Sequence, residues 1–217
     1  MIKCCMFDLD GTLLDTLSTI THYVNLTLQK YGVSPINEEE CKGFVGNGAR
    51  MLMRRALAAR GAEGLPFDAV MSDYIAAYDT DPYYLTEPYS GVSELIKELS
   101  ARGIACAVVS NKQHSSTCAA IAEFFPDGIS AVRGGMDGVP LKPDPTAPLA
   151  ILAELGISPE QTAFVGDTAV DIMTAKNMGA ARAIGVSWGF RSVDELASAG
   201  ADRIANTAQD VLKAVTE

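Results

Sequence analysis

The chain has 217 residues, 48% of them hydrophobic and 20% charged, with a formal net charge of −10. This composition specifies a folded globular protein with room for one good core plus a smaller module. It leaves no apolar run near the ~20 residues that a bilayer-spanning helix needs, and the acidic balance argues against nucleic acid or acidic membranes as partners.

In chain order, Ile2 to Phe7 is a short apolar run that meets Asp8-Leu9-Asp10-Gly11, a turn signal. It predicts a buried strand ending at a loop. Residues 15–82 then follow a different rhythm. Ile20, Val24, Leu28 and Tyr31 mark one helix face, Met51 to Arg60 and Phe67 to Tyr78 are helix-like, and no strand candidate interrupts them. An all-helical insert of residues 15–82 is expected between the first strand and a core of residues 1–14 and 83–217, with hinge candidates near Leu14–Leu17 and Asp81–Glu87.

After Gly91 strands and helices alternate. Val92, Leu95, Ile96 and Leu99 lie on one helix face, and Gly103 ends that helix. Ile104 to Val109 is an unbroken apolar run, as in a strand buried on both faces. A helix is expected after Asn111, then a short strand near Ile129 to Val132. Asp144 and Pro145 look like an N-cap and first helical position, and Gly156 stops that helix. Thr162 to Val165 reads as a strand followed by a helix after Asp167, and Arg182 to Val186 as another strand. Ser192 and Glu195 form a capping-box pattern, and Ala208, Val211, Leu212 and Val215 give a last amphipathic helix. The fold class expected is α/β: a Rossmann-like, mostly parallel sheet with helices on both faces.

The five cysteines are odd in number and scattered, without a Cys-x-x-Cys pair, and there are only two histidines. Buried small hydrophobes are expected rather than disulfides or a zinc site. The N-terminus reaches Asp8 too soon to carry the apolar stretch of a signal peptide, so a cytoplasmic location is expected.

Ligands of open α/β sheets bind beyond the C-terminal strand ends, and four such exits carry polar residues. Asp8 and Asp10 lie two residues apart, with Gly11 and Thr12 following. One carboxylate could attack phosphorus while the other exchanges protons, or the stretch could be a solvated turn. Ser110 and Asn111 could hold a phosphate at a helix start, or simply cap the helix. Lys142, flanked by Leu141 and Pro143, could neutralise a transferring phosphoryl group, or be an ordinary solvated lysine. Asp167 and Asp171 could seat magnesium, which favours a few carboxylates, or complement a helix dipole.

Together, Asp8 to Thr12, Ser110, Lys142 and Asp167 with Asp171 resemble the haloacid dehalogenase-like hydrolase superfamily, whose pattern runs D-x-D-G-T, S/T, K, G-D-x-x-x-D. The resemblance spans nearly the whole chain. It implies a helical cap, Mg2+ as cofactor, Asp8 as nucleophile and metal ligand, and Asp10 as general acid and base that binds metal through its backbone carbonyl. It further implies Asp167 as the other direct metal ligand and Asp171 behind it. Gly11, Thr12, Ser110, Asn111 and Lys142 would bind the phosphoryl group. Phe44 to Arg50, Glu87 to Val92, Ser110-Asn111-Lys112 and Gly185 to Arg191 are similar to the phosphoglycolate phosphatase subgroup. Ser90 departs from the proline more usual there. Arg50 would meet a second anionic group such as a carboxylate, with Lys42, Arg54 and Arg55 as rivals; His114 and Trp188 read as structural. The partner implied is a small phosphate ester, and the assembly a monomer or homodimer. A β-phosphoglucomutase-like mutase, a pyrophosphatase and a non-catalytic phosphate-binding regulator are the alternatives.

Overall fold

A computed structural model describes all residues, Met1–Glu217. The chain forms two compact units: Met1–Asp15 with Pro88–Glu217, and Thr16–Glu87.

The larger unit is built on a six-stranded sheet. Its strands are β1 (Cys4–Phe7), β4 (Ala105–Gln113), β5 (Ile129–Gly135), β6 (Thr162–Gly166), β7 (Arg182–Val186) and β8 (Arg203–Ala205), in the order β5-β4-β1-β6-β7-β8. Every neighbouring pair is parallel. Two further short strands, β2 (Leu14–Asp15) and β3 (Glu87–Pro88), form a separate ribbon at the chain crossings.

The apolar strands fit this arrangement because both sheet faces are covered. Met6, Ala107, Val109 and Phe164 pack with Ile151 and Leu152 of α7 (Thr146–Leu155), Ile172 and Met178 of α8 (Ala169–Met178) and Leu196 of α9 (Val193–Ser198). Cys106, one residue out of phase with that set, lies against Ile96 of α5 (Val92–Ala101). The periodic residues of α5 and α10 (Ala208–Thr216) are buried as their spacing predicts, and these two helices pack together.

Register sets up the site. Phe7 pairs with Val108 on one side and Val165 on the other. The three central strands therefore run level, and Asp8 and Asp167, the first residues past β1 and β6, stand at the same end of the sheet as Ser110 in β4. The order also reverses about β1, since β4 and β5 lie to one side and β6, β7 and β8 to the other. That is the crevice position at which open α/β sheets take their ligands.

Local corrections follow from hydrogen bonding. The strand containing Ile104–Val109 runs on to Gln113, with irregular register between Val109 and Gln113, and α6 begins only at His114 (His114–Phe124). Ser110 and Asn111 thus lie within a strand rather than at the start of a helix. α7 begins at Thr146 with Pro145 at the cap; the Asp144 carboxylate accepts from the Thr146 N–H at 2.9 Å without capping the helix. Strand β8 went unanticipated.

The smaller unit holds α1 (Leu17–Lys30), α2 (Glu38–Phe44), α3 (Ala49–Ala58) and α4 (Phe67–Tyr78). Ile20, Val24 and Leu28 of α1 are buried, as are Met53 and Leu57 of α3 and Val70, Met71 and Tyr74 of α4. Helix α1 packs against the other three. Its sequence had suggested three helices; α2 is the addition.

Candidate active site

Asp8 is the first residue beyond β1. Its Oδ1 accepts from the Leu9 N–H at 2.7 Å and pairs with Lys142 Nζ at 2.8 Å. The same ammonium lies 2.7 Å from Asp171 Oδ1. Lys142 is thus a buried bridge between two carboxylates, its side chain only 2% exposed. This fits the expected pairing of Lys142 with Asp8 and not a solvated lysine.

Asp171 is held on its other oxygen as well. Oδ2 accepts from the Thr168 N–H at 3.0 Å and the Thr168 hydroxyl at 2.7 Å, which closes a capping box at the start of α8. The dipole-complementing position and the site position are one and the same here. Asp167, fully buried, accepts from the Thr12 hydroxyl at 3.1 Å on Oδ1 and from the Phe190 N–H at 2.8 Å on Oδ2.

Two glycines make room for Asp167. Gly11 has φ +84°, which a side chain rarely adopts, and a methyl there would fall 2.4 Å from Asp167 Oδ2. A methyl at Gly189 would fall 2.2 Å from Asp167 Cβ and 2.4 Å from the Gly11 carbonyl oxygen.

Ligand oxygens of Asp8, Asp167 and Asp171 all lie within 4.8 Å of one another. Three buried carboxylates against the single Lys142 ammonium leave the cluster short of positive charge. Burial, with Asp171 adding repulsion and Lys142 opposing it, pushes the Asp8 carboxyl up to about 7. Burial, then Asp171 and Asp8, push Asp167 well above the usual carboxylate range. Lys142 moves the other way from what burial alone would cause: Asp171 and Asp8 hold the ammonium firmly charged. An all-oxygen donor set with unbalanced negative charge fits a hard divalent cation such as Mg2+.

Asp10 lies outside that trio. Its Oδ1 pairs with Lys112 Nζ at 3.2 Å, both side chains mostly buried. Ser110 is buried and its hydroxyl accepts from the Lys112 N–H at 3.2 Å. The Asn111 side chain turns to Lys142, accepting from its N–H at 2.8 Å and donating to its carbonyl at 3.1 Å. Arg50 belongs to the helical unit. There its guanidinium pairs with Asp68 at 2.9 Å and lies over the Phe67 ring, and it is largely exposed. Arg55 instead donates to the Phe44 carbonyl and Asn47 Oδ1 at 2.8 and 2.9 Å, bracing the loop before α3.

Several participants had no role in the sequence reading. Lys112 was visible only as part of Ser110-Asn111-Lys112. The Phe190 N–H and Gly189 follow β7, another strand of the same edge; their signal was the Gly-Phe after a predicted strand. Trp188 braces the loop after β1: its indole N–H donates to the Thr12 carbonyl at 3.1 Å. His114 Nδ1 accepts from the Gly134 N–H at 3.1 Å. All five cysteines are free thiols, four of them buried.

Comparison with known proteins agrees with this geometry. Residues 5–185 match the family model for haloacid dehalogenase-like hydrolases. The chain is 33% identical over 212 residues to phosphoglycolate phosphatase 1 of Pseudomonas aeruginosa, covering 95% of this chain and 77% of that one. It is 36% identical over 208 residues to the phosphoglycolate phosphatase of Rhodospirillum rubrum, covering 93% and 86%. Among solved structures, one from Lactobacillus delbrueckii subsp. bulgaricus superimposes with a TM-score of 0.92 at 30% identity over 98% of each chain. No helix is long and apolar enough to cross a membrane. The chain belongs to the haloacid dehalogenase-like hydrolase family, in its phosphoglycolate phosphatase-like subgroup.

Proposed function

We propose that this phosphatase hydrolyses a small phosphorylated metabolite such as 2-phosphoglycolate, in a Mg2+-dependent reaction that passes through an aspartyl-phosphate, an acyl phosphate formed on Asp8. The observation that carries the reading is the buried Asp8–Lys142–Asp171 bridge with Asp167 beside it. A carboxylate held by an ammonium and a backbone N–H on one oxygen is oriented for attack, and the same ammonium is available to phosphoryl oxygens.

In this reading Asp8 attacks phosphorus, and the P–O bond to the leaving group breaks. Asp10 gives its proton to the departing oxygen. Asp10, now a carboxylate, then takes a proton from water, which attacks the phosphoryl group and releases inorganic phosphate and free Asp8. Asp8, the Asp10 backbone carbonyl and Asp167 would hold Mg2+, which when bound supplies charge neutralisation for the phosphoryl oxygens. Asp171 fixes Lys142 and stays behind the direct ligands. Gly11, Thr12, Ser110 and Asn111 line the phosphoryl side of the loops. The helical unit selects the substrate, with Arg50 the guanidinium suited to a carboxylate. A cytoplasmic location accords with five unpaired thiols.

The test is phosphate release from 2-phosphoglycolate, pyrophosphate and an aryl phosphate, with and without Mg2+. Wild type is expected to release phosphate from 2-phosphoglycolate only with the metal. Asp8→Asn should lower turnover by roughly 10^3-fold or more while the chain stays folded. Asp8→Asn turnover near wild type sinks the proposal. Release from pyrophosphate alone would redirect the substrate assignment.

A further inference from the structure

Lys142 reaches Asp8 from a segment with no regular structure of its own. The residues around it form turns between β5 and α7, and the next residue, Pro143, has no N–H to offer. A lysine has four rotatable carbons in its stem, so its ammonium is placed only as well as its backbone is fixed. The Lys142 backbone is fixed from 31 residues away. Asn111 Oδ1 accepts from its N–H at 2.8 Å, and Asn111 Nδ2 donates to its carbonyl at 3.1 Å. One primary amide thus serves both polar groups of one residue, as a neighbouring strand would. Asn111 lies in the stretch of β4 whose register is irregular, between Val109 and Gln113.

We infer that Asn111 is a positioning residue: its side chain sets the Lys142 backbone and so aims the ammonium at Asp8 and Asp171. The inference rests on the proposed role of Asp8 and Lys142, and it gives the Asn111 amide a different task from direct phosphate binding. Removing the amide leaves the partly buried N–H and C=O of Lys142 without these partners and lets the turn relax. The ammonium then loses its fixed place, and a displacement of about 1 Å costs on the order of 10²-fold in rate.

The experiment compares wild type with Asn111→Ala and Asn111→Asp. The aspartate variant is isosteric and keeps an acceptor for the Lys142 N–H, but it sets a second acceptor against the carbonyl. The first readout needs no activity. Lysine acetylation by acetic anhydride, resolved by mass spectrometry, should leave Lys142 protected in wild type, as its burial requires. Its labelling should rise about tenfold or more in the variants, while exposed Lys213 labels at the wild-type rate. Unchanged protection of Lys142 in either folded variant overturns the inference, whatever the turnover. The second readout is a cycle with Lys142→Ala on an aryl phosphate. Asn111→Ala should lower kcat/KM by ten- to a hundredfold alone and by less than about threefold in the Lys142→Ala background. An equal loss in both backgrounds means that Asn111 acts on the phosphoryl group itself, and also overturns it. If wild type turns over no phosphate ester, the proposed function fails and the labelling arm still decides the clamp. If Asn111→Ala does not fold, Asn111→Asp carries both arms.

Discussion

At the scale of single residues, the site is held by groups that do no chemistry. Gly189 is the sharpest case. A methyl there would meet Asp167 Cβ at 2.2 Å and the Gly11 carbonyl oxygen at 2.4 Å. One of these is backbone, so the neighbours cannot simply rotate away. Gly189→Ala is therefore expected to destabilise the fold by about 1–3 kcal/mol in urea unfolding, and to shift Asp167 enough to cut kcat/KM by roughly tenfold or more. An unchanged urea midpoint would contradict the packing around Asp167. The sequence carried Asp8, Asp10 and Asp167 because they stand at the exits of apolar runs, and Lys142 and Asp171 through the order of the family pattern. Of the supports it carried Gly11 and Thr12, and not the others. Gly189, the Phe190 N–H and Lys112 take part only through parallel register, which brings β4, β6 and β7 to one edge. Pairing of that kind has no local pattern to read.

Whole elements were legible where the apolar pattern was clear. Helix α4 was expected at Phe67–Tyr78, and strand β7 at Arg182–Val186, and both are found there. Elements without a clear apolar pattern were not: β8 is only three residues long, and α2, Glu38–Phe44, opens on three glutamates. Helix α2 did carry a sign. Asn37 accepts from the Glu40 N–H at 2.8 Å and the Glu40 carboxylate accepts from the Asn37 N–H at 2.8 Å, a reciprocal box written as Asn-x-x-Glu. Arg60 closes on the same carboxylate with two bonds of 2.8 and 2.7 Å, tying α2 to the chain just after α3. That pair, with the Asn37 N–H, lowers the Glu40 carboxyl from its ordinary 4.5 to about 2. A carboxyl that is more acidic when folded adds stability above its unfolded value, and that stability is lost as pH falls through the folded one. The melting temperature of Glu40→Gln should therefore sit below wild type at pH 6, and the gap should close between about pH 4.5 and pH 2. Because the pair is at the surface, the gap should also shrink in high salt. A gap independent of pH would show that the charge on Glu40 is not what ties α2 down.

On the scale of the whole molecule, an acidic chain carries the Lys142 ammonium deep in the core unit, and both carboxylates paired with it, Asp8 and Asp171, come from that unit as well. The sequence of Thr16–Glu87 interrupts the core without contributing to that cluster. The helical unit is instead closed on itself, and its last segment is part of the closure. Tyr23 donates its hydroxyl to the Asp81 carbonyl at 2.7 Å, and the fully buried Thr19 hydroxyl meets both the Tyr84 carbonyl and the Thr86 hydroxyl, the latter at 2.8 Å. Residues 81–86 are thereby fastened to α1 and form part of the helical unit. Thr19→Val keeps the shape of the side chain and removes the hydroxyl. Two polar partners in a buried setting then go unmatched, at a cost of about 1–3 kcal/mol. Since 1.4 kcal/mol is a factor of ten in an opening equilibrium, amides of residues 83–86 should exchange with deuterium about tenfold or more faster. Those of β1 and β6, in the other unit, should keep their wild-type rates. Equal protection of residues 83–86 in the variant would mean that the segment is held elsewhere, and would return it to the list of bendable crossings. Faster exchange confined to that segment would make the return crossing a short joint rather than a long loose strand of chain.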